Sequence, residues 1–396
     1  MQTRAAVASA PPTLSPKRSR EPRALVVTWG SVLDPRGGWA VRARSIVDAF
    51  AGLGVRTSVI SHSEPRAAIP SAIDTLHVLR RPLRLGWSTE LARAARLRAP
   101  DADVIVVESA LLLPAVLVGR PSAPIVWDTT ECETLHYSRL EPTLETRLRK
   151  FAWVQIERWA VRRADVVVAI SEAERESWLR LFPAVRDKLT VVHHTSSARP
   201  MTHREARPRL ERLCGATPLE GPVLLFVGNQ VGKHNVAAAR WIVDELAPRL
   251  PSTWSVVLAG PGTESLATAR RTGAAVVALG SVDDIDAVIA GADVCLAPLA
   301  SGAGVKTKVL DYVAHGRPVV ATPVAVEGIE DAPGVRTVEL DQFASAVQEL
   351  VQADHVGAHD SERERAQREW IEARHGSAVV AREWQQVLER VGVRVG

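Results

Sequence analysis

The chain has 396 residues, 46% hydrophobic and 24% charged, which is a globular composition with length for two domains that each bury a core. A formal net charge of +4 gives no reason to expect a polyanionic partner such as nucleic acid. The three cysteines, Cys132, Cys214 and Cys295, have neither metal-ligand spacing nor an even-numbered disulfide framework. They read as free thiols of a reducing compartment, and no run of about 18 apolar residues is present to span a bilayer, so a cytoplasmic location is expected.

The first 22 residues are rich in Pro, Ser, Ala and Arg and lack a continuous apolar core, so a disordered basic tail is expected there, not a signal peptide. Short apolar runs follow at 24–30, 55–61, 75–79, 103–109, 123–128, 164–171 and 189–194, separated by helix-length segments. In the segment 39–54, Val41, Ile46, Ala49, Phe50 and Leu53 fall near one helical face, and Gly54 suits the position just past its end. Runs without polar alternation suit parallel strands covered on both faces, and repeated strand–helix units make such a sheet doubly wound. Residues 195–221 break the rhythm with a polar, proline-bearing stretch that has no strand run. The rhythm restarts at 221–229, 254–260, 273–280, 292–298, 317–322 and 334–340, and the chain ends in a helical stretch. The expected fold class is α/β, with two Rossmann-like doubly wound parallel-sheet domains facing each other across a cleft. The expected boundaries are 23–198 and 221–375 for the domains, 199–220 for a linker, and 376–396 for a C-terminal helix that crosses back to the first domain.

In open α/β sheets ligands bind beyond the carboxyl ends of the strands, so the loops there carry the argument. Gly37 and Gly38 precede the first helix and allow a ligand to approach the backbone, and Trp39 follows them. The pair equally suits a tight turn. In FVGNQVGKHN, Gly228, Asn229 and Gly232 form a short loop and Lys233 stands where a helix begins. A lysine opposes the positive end of the helix dipole, so it fits best where an anion neutralises it. A third strand ends at Gly260-Pro261-Gly262 and shapes a pocket wall. The fourth loop, in PLASGAGVKTKVLDYVAHGRPVV, presents Gly302, Ala303 and Gly304 with Lys306 and Lys308, and the helix after it holds Asp311. Lysines and amides suit a diphosphate, and an acid one turn into the helix suits ribose hydroxyls. Lys308 also has the i, i+3 spacing to pair with Asp311. No GxGxxG or Walker pattern is present, which disfavours a nicotinamide dehydrogenase.

These residues resemble the nucleotide-sugar-binding half of a GT-B glycosyltransferase, most of all the family 4 retaining enzymes, glycosyl transferases group 1. The likeness is carried by Pro298, Gly302, Gly304, Lys308, Asp311, Gly316, Pro318-Val319-Val320 and Glu327-Gly328, and is looser in the first half, at Gly37-Gly38 and ADVVVAISEAERESW. It implies that Lys233 meets the donor diphosphate and acts in catalysis, that Lys306 lies near it, and that Asp311 replaces the family's ribose-holding glutamate. Gly228, Asn229, Gly260, Ala303, Gly37 and Gly38 join the donor site on the same footing. The family's first glutamate is missing, because Gly304 stands seven residues before Asp311. The implied activity moves a sugar from a nucleotide-diphosphate donor to an acceptor hydroxyl, with retention, without a metal and with no cofactor besides the donor. The first domain is then the acceptor side and residues 221–375 the donor side.

WDTTECETLHYSRLE follows a first-domain strand and offers Asp128, Glu131, Glu133 and His136 to the cleft. Asp128, at the strand's end, is the candidate to polarise an acceptor hydroxyl, with Trp39, Glu131 and His136 as acceptor contacts. Adjacent His193 and His194 lack further ligands and do not read as a metal site. The basic, Trp-bearing segments 79–100 and 147–163 suit an anionic membrane surface at the inner face, although the second precedes a buried strand, which assigns its tryptophans to a core. The acceptor classes left open are a glycan, a lipid carrier and a small molecule. Two other activities fit the same plan: a nucleotide-sugar epimerase, and a non-catalytic nucleotide-sugar-binding partner subunit that the altered acid motif keeps in view.

Overall fold

The computed structural model describes residues 20–33, 37–61, 69–79, 87–196, 198–215, 219, 221–266, 273–355 and 361–395. The tail expected over residues 1–22 lies almost wholly outside them. Seven strands build the first sheet: β1 (Arg23–Val27), β2 (Arg56–Ser61), β3 (Ile73–Val78), β4 (Val104–Val107), β5 (Ile125–Asp128), β6 (Val166–Ala169) and β7 (Leu189–Val191). Six build the second: β8 (Val223–Val227), β9 (Ser255–Ala259), β10 (Ala275–Gly280), β11 (Val294–Ala297), β12 (Val319–Ala321) and β13 (Val335–Thr337). Their orders are β3-β2-β1-β4-β5-β6-β7 and β10-β9-β8-β11-β12-β13, and every pairing is parallel. Each apolar run expected to be a strand overlaps one of these strands, with β1 and β3 beginning one and two residues ahead of their runs.

The strands are apolar throughout because both faces are covered. Alternate residues of one strand point to opposite faces. Leu25, Val27, Ile105 and Val107 pack under helices that supply Leu91, Leu113, Val161 and Trp178. Ala24, Val26, Val104 and Val106 face the other way, against Ile46, Val47 and Phe50 of helix Gly38–Gly52 and Val380, Trp384, Val387 and Leu388 of helix Ser377–Arg390. The last helix is therefore part of the first domain's core, with the Trp384 and Phe50 rings edge to face at 5.4 Å.

The chain crosses between domains twice, and the crossings are tied together. Glu383 accepts from the His193 backbone amide at 2.8 Å and lies 2.7 Å from its Nδ1, while His375 donates through Nδ1 to the His194 carbonyl at 2.7 Å. Residues 199–220, expected as a linker, contain helix His203–Leu213. Thr202 and Glu205 cap it reciprocally, Ala206 and Leu210 are buried, and Arg207 pairs with Asp293 at 2.8 Å. Both sheets have a switch point at their centre, where crossovers leave in opposite directions: between β1 and β4, and between β8 and β11.

Candidate donor and acceptor site

The loop after β8 folds on itself before helix Lys233–Trp241. Asn229 Oδ1 accepts from the Gly232 amide at 3.2 Å and from Asn235 Nδ2 at 3.4 Å. Lys233 is the first residue of the helix and is exposed. Gly260 sits against this loop at φ +128°, and a Cβ there would lie 2.5 Å from the Gly228 carbonyl oxygen, so only glycine lets the two backbones meet.

The loop after β11 leads into helix Thr307–Ala314. Lys306 is buried and turns back on its own loop, donating to the carbonyls of Ala303 and Gly304 at 2.8 and 2.5 Å. Lys308 donates to Asn235 Oδ1 at 2.6 Å and stands 4.3 Å from the Phe226 ring centre, so it links the two donor loops. Burial, with the charge of Lys306 beside it, pushes the Lys308 ammonium down to about 7. His234 is pushed down to about 4 by burial and then by Lys308, Lys306 and His136. His136, from the first domain, is lowered by burial, Lys306 and Arg139, and its Nδ1 is buried without a partner. Basic groups from both domains thus converge on one place. Asp311, one turn further on, accepts from the Ser196 hydroxyl at 2.9 Å, which ties its carboxylate to the interdomain connection.

The first domain presses against this loop. A Cβ on Gly38 would lie 3.5 Å from Thr307 Cγ2, and one on Gly328 would lie 2.7 Å from Ser171 Oγ. Arg139 binds Glu327 with both nitrogens at 2.6 Å and also donates to the Gly302 carbonyl at 3.0 Å. The two domains are closed on each other, with Gly37-Gly38, Glu131 and His136 brought to the lysine loop. Trp39 is half-buried in the first turn of its helix.

Asp128 does not stand free in the cleft. It is fully buried, and Arg42 takes both of its oxygens at 2.9 and 2.8 Å. Arg42 also donates to the His193 carbonyl at 2.7 Å and stacks 5.6 Å from Trp384. The carboxylate expected to polarise an acceptor hydroxyl is thus engaged in a buried bidentate pair that joins two elements of the first domain. A different acid occupies the first domain's switch point. Glu108, just past β4, is fully buried, accepts from Thr28 Oγ1, and has Oε1 without a partner. Burial raises its carboxyl to about 8.

The segment 129–138 is fixed from below by two acids. Glu157 accepts from the amides of Glu133 and Thr134 at 2.8 and 3.2 Å, and so caps the helix Glu133–Ser138 from a neighbouring helix. Glu174 accepts from the Cys132 amide at 3.2 Å. Burial raises the carboxyls of Glu133, Glu157 and Glu174 to about 8, 7 and 8, and the charge of Glu131 adds to each. Arg42, Glu108, Arg139, Glu174 and His234 were not singled out from the sequence. Only His234 had a signal there, its place beside Lys233 at a helix start. Among the described residues no group of three or more His, Cys, Asp or Glu side chains converges as a metal site, and no helix is long and apolar enough to cross a membrane.

Comparison with known proteins agrees with this architecture. The family described as "Glycosyl transferases group 1" matches residues 221–353, and the "Glycosyl transferase 4-like domain" matches residues 37–195. No curated protein matches. Among solved structures, sucrose-phosphate synthase from Thermosynechococcus elongatus superposes with TM-score 0.71 at 16% identity over 94% of this chain and 99% of its own. HepE of Anabaena, solved with UDP-glucose, gives 0.67 at 14% identity over 93% and 99%. WaaG, a glycosyltransferase of lipopolysaccharide biosynthesis, gives 0.66 at 15% identity over 92% and 99%. The two parallel-sheet domains closed over lysine-bearing glycine loops define a GT-B enzyme. Its second half matches the group 1 glycosyltransferases and its first half the glycosyl transferase 4-like domain, and the chain is a glycosyltransferase.

Proposed function

We propose that the protein transfers a hexose from a nucleoside-diphosphate sugar to an acceptor hydroxyl, with retention and without a metal ion. The observation that carries this reading is the Lys308 bridge between the two donor loops, flanked by Lys306, His234 and the exposed Lys233 at a helix start. Breaking the anomeric bond puts charge on the leaving diphosphate. Lysines, loop amides and helix N-termini already in place meet that charge without reorganising, which lowers the barrier. The closed cleft excludes water and brings the acceptor hydroxyl to the anomeric carbon. The leaving phosphate takes the acceptor's proton, so no protein base is needed, in keeping with the loss of Asp128 to Arg42.

HepE is solved with UDP-glucose, and with UDP and glucose, which makes a UDP-sugar the first donor to try and a sugar hydroxyl the first acceptor. The acceptor enters from the first domain beside Trp39, His136 and the Glu108 switch point. Contact with an anionic membrane surface is supported by exposed Leu144, Leu148 and Phe151 on helix Leu144–Arg163.

The test incubates the protein with UDP-, GDP-, ADP- and TDP-glucose and with glucosides, free glucose and a polyprenyl phosphate as acceptors. Release of nucleoside diphosphate that depends on an acceptor, an unchanged anomeric configuration by NMR, and insensitivity to EDTA are expected. Inversion, or loss of turnover on chelation, contradicts the mechanism. Epimerised donor with no transfer contradicts the function.

A further inference from the structure

The glycine loop after β11 carries no carboxylate, and the structure shows why. Gly304 has φ +68°, and a Cβ on it would meet the Thr130 carbonyl oxygen at 3.1 Å, Ile170 Cδ1 at 3.2 Å and the Glu131 Cβ at 3.3 Å. A side chain at 304 is strained by its own backbone and crowded by residues of the other domain. The residue that fills the space is itself an acid. Thr130 adopts φ +50°, a left-handed conformation unusual for a β-branched residue, and that turn delivers Glu131 to the donor loop.

Apart from Glu133, whose carboxyl burial and the charge of Glu131 raise to about 8, the other carboxylates nearby are committed. Glu327 is held by Arg139, Glu157 caps a helix, Glu174 binds the Cys132 amide, Asp128 is paired with Arg42, and Asp311 accepts from Ser196. Glu131 is half-buried and its carboxylate accepts no hydrogen bond among the described residues; burial raises its carboxyl, and the charge of Lys306 opposes that rise. A carboxylate repels phosphate and accepts strongly from neutral hydroxyls.

We infer that Glu131, expected from the sequence to touch the acceptor, binds the hydroxyls of the donor's sugar, supplied to the second domain by closure of the first. The site for the sugar is then assembled from both domains, while the nucleotide is held mainly by the second. The inference rests on the donor-site reading above.

The experiment measures binding of UDP, GDP, ADP and TDP, and of the glucose conjugate of each, by calorimetry to the full chain and its Glu131→Gln and Glu131→Ala variants. Thermal unfolding without ligand shows that the variants fold. The nucleoside diphosphate that binds is expected to bind both variants within about twofold of the unaltered protein. The added affinity for its glucose conjugate, and the rate of its cleavage, should fall about tenfold or more, the worth of one hydrogen bond to a charged group. Variants that keep the full contribution of the sugar overturn the inference alone. Variants that lose nucleotide and sugar equally overturn it in favour of a structural role. A protein that binds none of the four nucleotides overturns the donor reading and this inference with it.

Discussion

Asp128 and Lys308 look alike in the sequence, each a charge placed beyond the apolar run of a strand, and they end in opposite situations. Asp128 closes a buried pair with Arg42, 86 residues away in the chain. Nothing local marks a carboxylate whose partner comes from a different helix, and Arg42 is one arginine among many in an amphipathic stretch. Removing either partner would leave an uncompensated buried charge, which is why the pair belongs to the scaffold. Lys308 was legible because lysine is scarce here and this one follows a glycine loop. Its environment sets a pH dependence. Burial lowers the ammonium to about 7 in the free protein, well below the ordinary lysine value. The folded state therefore binds fewer protons than the unfolded chain between about pH 7 and 10, and this group's contribution to stability rises with pH across that window. A bound diphosphate favours the charged form, so binding above about pH 7 must take up a proton and weaken as pH increases. Calorimetry at pH 8 in buffers of different ionisation enthalpy should show uptake of a fraction of a proton, abolished in Lys308→Met. Uptake that persists in the variant would assign the proton to another group.

At the scale of elements, the apolar runs were readable because strands in a doubly covered parallel sheet carry no polar alternation to confuse them. The helix at His203–Leu213 was missed although Thr202 and Glu205 have capping-box spacing, because its surface is dominated by Arg and Glu and it contains Pro208. Helix Leu144–Arg163 divides along its length. Trp153, Val154, Ile156 and Trp159 pack on the core, as the sequence suggested for its tryptophans. Its first turns project, with Leu144, Leu148 and Phe151 exposed at i, i+4 and i+7, and Arg158 and Arg162 continue the same face. An apolar tip with a basic stripe fits an anionic bilayer. The protein should sediment with vesicles containing phosphatidylglycerol and less with neutral vesicles. A Leu148→Glu/Phe151→Glu variant should bind at least about tenfold more weakly, given the apolar burial lost. Equal sedimentation of the variant would remove this face from the account.

At the scale of the molecule, the sequence showed two domains and the donor-side loops, but not how the halves meet. The contacts that define the site are mostly between domains: Arg139 on Glu327 and Gly302, Thr130 and Glu131 on Gly304, Gly38 on Thr307. Such pairs have no sequence spacing to betray them. They make the site a property of the closed state, with the interdomain connection tied at His193 by Glu383 of the last helix and at His194 by His375, which ends helix Ser361–His375. The central claim is that a nucleoside diphosphate binds where Lys233 and Lys308 flank the loops after β8 and β11. The most direct test is thermal unfolding with UDP, GDP, ADP, TDP and CDP in turn, run beside Lys233→Ala and Lys308→Ala. One nucleotide at ~100 times its dissociation constant should stabilise the protein by about 2.7 kcal/mol, and both variants should lose most of that gain. A midpoint that no nucleotide moves, or a shift that both variants keep, would contradict the account.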